Sequence, residues 1–318
     1  MSERIFLSTF VVKVLDRNKH EQILSRFNET EDFFNTFCQF TEEIFVHMER
    51  QADLSNTSTL HLTLDAPAIV NSAERRIYGF FSSGVSGEKF IIRDIFTNET
   101  ELEVEPDIHG SFRELFFYLV VPRDRHIGYL ILQRKSKFGI KTNLKRSLNR
   151  YIRDRGFLNY SVEINNLLNS QVYERMMQLG SLKKIDFIKR KIPNSAEEYL
   201  NNNGNTYNTN GTLRVSISTN SGLSDFWKNF VGRHFRNHND NTRIEIGGDD
   251  GALDEMEFEL ELSGKKKTFH VVNHQRTQPD IDVTSNLDFE NNEPTIASLI
   301  RESQSLIDDM LEVRLNHV

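Results

Sequence analysis

The sequence predicts an α+β fold: a β-rich N-terminal half with one long helix, a mixed strand and helix C-terminal half, and a closing amphipathic helix. Three patterns predict it. Up to residue 133 the apolar residues come mostly in alternating runs rich in β-branched and aromatic side chains, which suit half-buried strands. One helical stripe interrupts them between Glu31 and Met48. Beyond residue 133, strand-like and helix-like periods take turns.

Ile5 to Val14 reads as the first strand. Phe34, Phe37, Ile44, Phe45 and Met48 mark the buried face of the long helix. Ser55 to Asp65, Arg75 to Ser83 and Glu88 to Phe96 are further strands, with a hairpin turn expected at Gly84 to Gly87. Phe112 to Val121 should pair with Ile127 to Gln133 across Pro122-Arg123-Asp124-Arg125. A basic helix follows, its apolar stripe at Ile140, Leu144, Leu148 and Ile152.

After it come a strand at Phe157 to Leu168, a short helix at Ser170 to Gln178 and a basic strand at Leu182 to Ile192. An Asn-rich loop spans 194 to 211, and six of the ten positions from 201 to 210 are Asn. Leu213 to Thr219 is a strand and Leu223 to Phe235 a helix. Thr242 to Ile246, Leu253 to Leu262 and Lys267 to His274 are strands, and 275 to 293 reads as polar linker. The last helix runs from about Pro294 to Leu315. Its Ile296, Leu299, Leu306, Met310 and Val313 recur near every 3.5 residues, broken by Ser303, so it suits packing on its own domain or on a second copy. The expected division is a β-rich domain over 1–133, a mixed domain with the basic segment over 134–285, and linker plus C-terminal helix over 286–318.

The 318 residues suffice for a sizeable core. The single Cys38 excludes a disulfide framework and Cys-based zinc sites, and fits a reducing, cytoplasmic setting. No apolar run approaches the ~18 residues of a membrane span, and the start goes straight into a strand, so neither membrane insertion nor a signal peptide is expected.

Charge is distributed unevenly. The whole chain carries −7, yet Arg134 to Arg155 holds nine Lys/Arg against Asp154 alone. Such a segment in an acidic protein points to an anionic partner. The cations expected to hold phosphates are Arg134, Lys135, Lys137, Lys141 and Lys145, then Arg146, Arg150 and Arg153. A second cluster, Lys183, Lys184, Lys189 and Arg190, extends the set. Phe138, Tyr151, Phe157 and Tyr160 lie close by in sequence and suit base stacking.

Three weaker signals bear on catalysis or metals. Pro122-Arg123-Asp124 and Gln133-Arg134-Lys135 imitate the text of PD-(D/E)xK nucleases, in which acids hold magnesium and a lysine assists the attacking water. Asp124 equally suits the turn between two strands. Asp249, Asp250, Asp254, Glu255, Glu257, Glu259 and Glu261 form an acidic run. Its alternation with Met256, Phe258, Leu260 and Leu262 describes a strand with one acidic, solvated face. His234, His238, His270 and His274 have metal-like spacing, but 270 and 274 lie roughly 13 Å apart on a strand. No catalytic residue, metal or cofactor is therefore expected.

The run Phe116–Val121, then Gly128-Tyr129-Leu130, the Phe138-Gly139 turn, the helix at Leu144–Leu148 and Val162-Glu163-Ile164-Asn165-Asn166-Leu167-Leu168 resembles the lambda RexA phage-exclusion family and related bacterial abortive-infection proteins. A basic strand at Lys183–Ile192 ending in Pro193 and a strand-helix unit at Leu213–Phe235 follow in the same order. The likeness spans about residues 75 to 235; Asn166 stands where that group can have Pro. It implies a cytosolic phage-defence protein that binds DNA, forms dimers and acts with a membrane-protein partner, and it supplies no catalytic residue.

The expectation is thus a non-enzymatic nucleic-acid-binding sensor or effector of anti-phage defence, binding DNA backbone as a homo-oligomer. The alternatives are a metal-dependent nuclease built on Asp124 and Lys135, and a protein-interaction subunit that uses the C-terminal helix.

Overall fold

The computed structural model describes residues 4–52, 59–135, 138–166, 169–191, 210–236, 254–271 and 279–315. The class is α+β. The chain forms two compact units: Met1–Leu167 with Leu287–Ile307, and Leu168–Asn286 with Asp308–Val318.

The first unit begins with β1 (Ile5–Leu15), α1 (Phe33–Val46), β2 (Glu49–Ala52), β3 (Thr59–Leu64), β4 (Ile69–Asn71) and β5 (Arg76–Ser86). β6 (Phe90–Arg93), β7 (Thr100–Val104), β8 (Gly110–Val120), β9 (Gly128–Lys135), α2 (Lys141–Asp154) and β10 (Ser161–Asn166) follow. Seven strands make an antiparallel sheet in the order β10-β1-β9-β8-β5-β3-β2, and β4 adds to β5 alongside β3. The expected β8–β9 hairpin is present, with Phe117 opposite Leu132 and Val120 opposite Tyr129.

Strand alternation sends Phe10, Val12, Val14, Phe117, Leu119, Leu130 and Leu132 to one face. There they pack with Phe33, Phe37, Phe40 and Ile44 of α1 and with Leu144, Leu148 and Ile152 of α2. Burying some two dozen such side chains, each worth about 1.5–3 kcal/mol, dominates this unit's stability. The α1 stripe sits slightly earlier than the sequence suggests: Phe33 and Phe40 are buried, whereas Phe45 and Met48 are exposed. Asp32 caps α1 by accepting from the Phe34 N–H at 2.9 Å. Asn149 of α2 both donates to the Val162 carbonyl and accepts from its N–H, replacing a missing strand partner at the edge of β10. Gly156, at φ +90°, ends α2.

Two expectations need correction here. Gly84 is not a turn residue, because β5 runs on to Ser86 and pairs along its whole length with β8. A Cβ on Gly84 would come 2.6 Å from the Phe112 ring, so the glycine gives room to a cross-strand aromatic. The basic helix belongs to the first unit, not to a domain starting at 134, since its apolar stripe completes that unit's core.

The second unit contains α3 (Asn169–Leu179), β11 (Ser181–Lys191), β12 (Asn210–Ser218), α4 (Asp225–Arg236), β13 (Glu255–Leu262), β14 (Lys265–His270) and β15 (Asp280–Asp282). Its antiparallel order is β12-β11-β13-β14-β15. Tyr173 and Met176 of α3 and Val231 and Phe235 of α4 pack against Ile185, Phe187, Phe258, Leu260 and Phe269. The expected strand at Thr242–Ile246 and most of the Asn-rich loop lie outside the described residues.

The segment from 279 is not a plain linker. Ile281, Val283 and Leu287 are buried in it, and it adds β15 and the two-residue strands β16 (Phe289–Glu290) and β17 (Glu293–Pro294). The last helix, α5 (Ile296–Leu315), buries Leu299, Ser303, Leu306 and Ile307 within the chain. Much of the seam offered to a second copy is therefore already used. The side chains of Met310 and Val313 lie outside the described ones.

Candidate nucleic-acid interface

Helix α2 turns its apolar stripe to the core and so must turn Arg146, Arg150 and Arg153 outward. All three are exposed, at i, i+4 and i+7, a line of about 10 Å at 1.5 Å per residue. Arg146 and Arg153 meet no carboxylate among the described residues. Arg150 reaches Glu49 at 3.3 Å and the Arg50 carbonyl at 3.1 Å, yet stays 45% exposed.

The other cations of the segment are held by the fold. Lys135 donates to Glu293 at 2.7 Å, Lys145 to Glu163 at 2.5 Å and Lys141 to Asn166 at 2.9 Å. The Lys141 ammonium also lies 4.9 Å from the Phe10 ring centre. Burial, and then the nearby Lys145, push its pKa down, against the pull of Glu163. Arg155 sits 3.9 Å from Glu43. Arg134 is half-buried, and Lys137 lies outside the described residues. Asp154, the last residue of α2, is the one acid within the helix, and the neutralising carboxylates arrive from other elements.

The second cluster belongs to the second unit and is equally engaged. Lys183 donates to the Asn220 carbonyl at 2.8 Å and lies 3.6 Å from Glu261. Lys184 donates to Asp186 at 2.8 Å. Lys189 is only 4% exposed, so no phosphate can reach it, which corrects its expected role. Arg190 is exposed.

The aromatic residues are structural too. Tyr151 is buried against Phe40, while Phe157 and Tyr160 pack edge-on against Phe27 at 5.4 and 5.6 Å. Phe138 already carries the Arg113 guanidinium 3.5 Å above its ring. None of the first three offers a platform for a base.

The nuclease geometry fails. Asp124 occupies the β8–β9 turn at φ +54°, whereas Lys135 stands at the far end of β9, a strand about 23 Å long at 3.3 Å per residue. Gln133 is buried and its Oε1 accepts from the Phe116 N–H. The real neighbours of Lys135 are Glu293 and Glu114, and a hydrogen bond with Asp65, then burial, raises the Glu114 pKa. No set of three or more His, Cys, Asp or Glu suited to a metal occurs among the described residues.

The acidic strand β13 behaves as alternation predicts on one side: Met256, Phe258 and Leu260 are buried. Its other side is an ion-paired surface, not a merely solvated one. Glu257 meets Arg214 at 3.5 Å and His270 at 3.5 Å, and Glu261 meets Lys183 and Lys266, each at 3.6 Å. Asp186 joins this surface, accepting from Ser216 at 2.5 Å. A cleft of about 450 Å³ opens between Lys183, Lys184, Glu259, Glu261 and Lys266. His234 packs on Phe230 instead of facing a metal partner, and His238 and His274 lie outside the described residues.

Among the described residues no helix is long and apolar enough to cross a membrane. No protein-family model matches the chain, and no curated protein matches it.

Proposed function

We propose that this protein is a non-enzymatic nucleic-acid-binding protein that grips backbone phosphates with the outer face of α2. The carrying observation is the exposed line of Arg146, Arg150 and Arg153, whose guanidinium forks suit phosphate oxygens. The ordered resemblance to phage-exclusion proteins supports a place in bacterial anti-phage defence. It also supports action as a homo-oligomer beside a membrane-protein partner. Burial, chiefly, pushes the Cys38 thiol up to about 11, so it stays protonated at neutral pH.

Three arginines set the strength of the grip. Each neutralised phosphate adds about −0.9 to the slope of log affinity on log salt, so the slope should be about −3. The dozen cations suggested by the sequence would give a slope near −11. A mobility-shift series of duplex DNA across salt tests this. Absence of binding at the lowest ionic strength defeats the proposal.

A further inference from the structure

The β5–β8 pair continues beyond its last rung, Ser86 opposite Gly110, as the separate two-stranded ribbon β6–β7. Of the twenty large apolar side chains exposed among the described residues, nine fall between Val85 and Phe112. The ribbon's pairs Phe90–Val104 and Ile92–Leu102 put apolar side chains on one face. The pair Ile91–Glu103 takes the other, and the register shifts at Glu101. At the tip Ile95 and Phe96 are 87% and 91% exposed.

The tip is held by its own hydrogen bonds. Asp94 Oδ1 accepts from the Phe96 and Thr97 N–H groups at 2.7 Å each, and the Asp94 N–H donates to the Glu99 carbonyl at 3.0 Å. The Gly87 N–H donates to the Pro106 carbonyl at the base. An apolar pair held outward by a bonded loop is built to meet a partner. Charge narrows which one. Residues 88–107 carry seven acids against Lys89 and Arg93, a balance of −5 that repels nucleic acid and anionic lipid alike.

The same unit displays an apolar surface bordered by Arg146, Arg150, Arg153 and Arg155 against the carboxylates Glu43, Glu49 and Asp154, leaving Arg146 and Arg153 exposed and without a carboxylate among the described residues. Val46 and Met48 are exposed at the end of α1, between Glu43 and Glu49, the carboxylates that Arg155 and Arg150 hold. Leu158, three residues beyond Arg155, is 75% exposed, and Arg146 and Arg153 stand on the neighbouring helix face. We infer that the acidic, apolar-tipped ribbon of one copy docks on this arginine-bordered α1–α2 face of a second copy. Phe90, Ile92, Leu102, Ile95 and Phe96 are exposed within the chain, so the two surfaces meet between copies. The interaction uses Arg150 and Arg153 but does not require that the protein bind nucleic acid.

Sedimentation velocity of the full chain, across concentration and salt, reads the association. At low salt the wild type should sediment above the mass of one chain and return to a single chain as salt rises. Two double variants should be monomeric: Ile95→Asp with Phe96→Asp, and Arg150→Glu with Arg153→Glu. The ribbon variant's altered side chains are exposed, so its melting temperature should match the wild type; the arginine variant gives up the Arg150–Glu49 contact, so it should melt somewhat lower but in one cooperative transition that confirms folding. Mixing the two variants should restore association, because one retains the ribbon and the other the arginine face. The ribbon variant should still bind duplex DNA if the wild type does, which separates this inference from the proposed function. A wild type that stays monomeric at low salt, a variant that keeps the wild-type mass, or a mixture that does not reassociate overturns the inference. So does a monomeric wild type that binds zwitterionic phospholipid vesicles through Ile95 and Phe96.

Discussion

Asp32 and Arg75 form a two-pronged pair, with guanidinium-to-carboxylate distances of 2.6 and 2.7 Å, that ties the start of α1 to the residue before β5. Asp32 is at once the N-cap of α1 and the counter-ion of Arg75. Arg75 also donates to the Val121 carbonyl at 2.7 Å and lies over the Phe34 ring. Asp32→Ala would remove a cap worth about 1 kcal/mol and leave a buried guanidinium without its anion, a loss of about 3–5 kcal/mol. Chemical denaturation should show a destabilisation of at least about 3 kcal/mol. A loss under about 1 kcal/mol would mean that the pair contributes little beyond the cap.

On α2, position should matter more than charge. Arg146→Glu with Arg153→Glu should abolish low-salt DNA binding. Lys141→Gln with Lys145→Gln should leave affinity and salt slope nearly unchanged, because those lysines already serve Asn166 and Glu163. Equal losses from both pairs, in titrations at matched ionic strength, would show that the whole basic segment acts as one diffuse field.

Lys267 is 2% exposed, and burial draws its pKa down to about 8 from 10.5, against the pull of Asp280. The unfolded chain therefore binds the proton more tightly than the native one. Between pH 8 and 10.5 stability should rise with pH, recovering on the order of 3 kcal/mol that is missing at pH 7. Lys267→Met should flatten that rise and stabilise the protein at pH 7 by about 1 kcal/mol or more. Melting curves of both forms from pH 7 to 10.5 check it; an unchanged slope would place the titration elsewhere.

Gly84→Ala tests the aromatic contact across β5 and β8. The new methyl group meets the Phe112 ring at 2.6–2.7 Å, so we expect a loss of about 1 kcal/mol, relieved in a background of Phe112→Ala. Additive losses in the double variant would locate the strain in the backbone instead.

The element order was largely legible in the sequence because period 2 and period 3.6 survive in short windows. The β8–β9 hairpin, the buried face of α2 and the apolar side of β13 all follow from that. The fate of the cations was not legible. Arg150 meets an acid 101 residues away, Lys135 one 158 residues away, and Lys145 one that a different strand presents. No local pattern encodes such pairings. Lys189 looked like its exposed neighbours, but strand alternation had turned it inward. The first strand of the ribbon was read as an ordinary strand, since its apolar composition alone does not reveal that Phe90, Ile91 and Ile92 stay exposed among the described residues.

The order in which this chain leaves a ribosome conflicts with the order of its sheet. β1 emerges first, yet its partners β9 and β10 follow more than a hundred residues later. At 5–20 residues per second the strand waits roughly 5–20 s, with an apolar edge that must be sheltered by a chaperone or by transient collapse. The main stretch of the second unit, Leu168–Asn286, is translated before Leu287–Ile307 completes the first, and only Asp308–Val318 follows. The later-made unit can thus mature while the earlier one remains open, and arrest of synthesis in between would leave a β-rich fragment prone to aggregate.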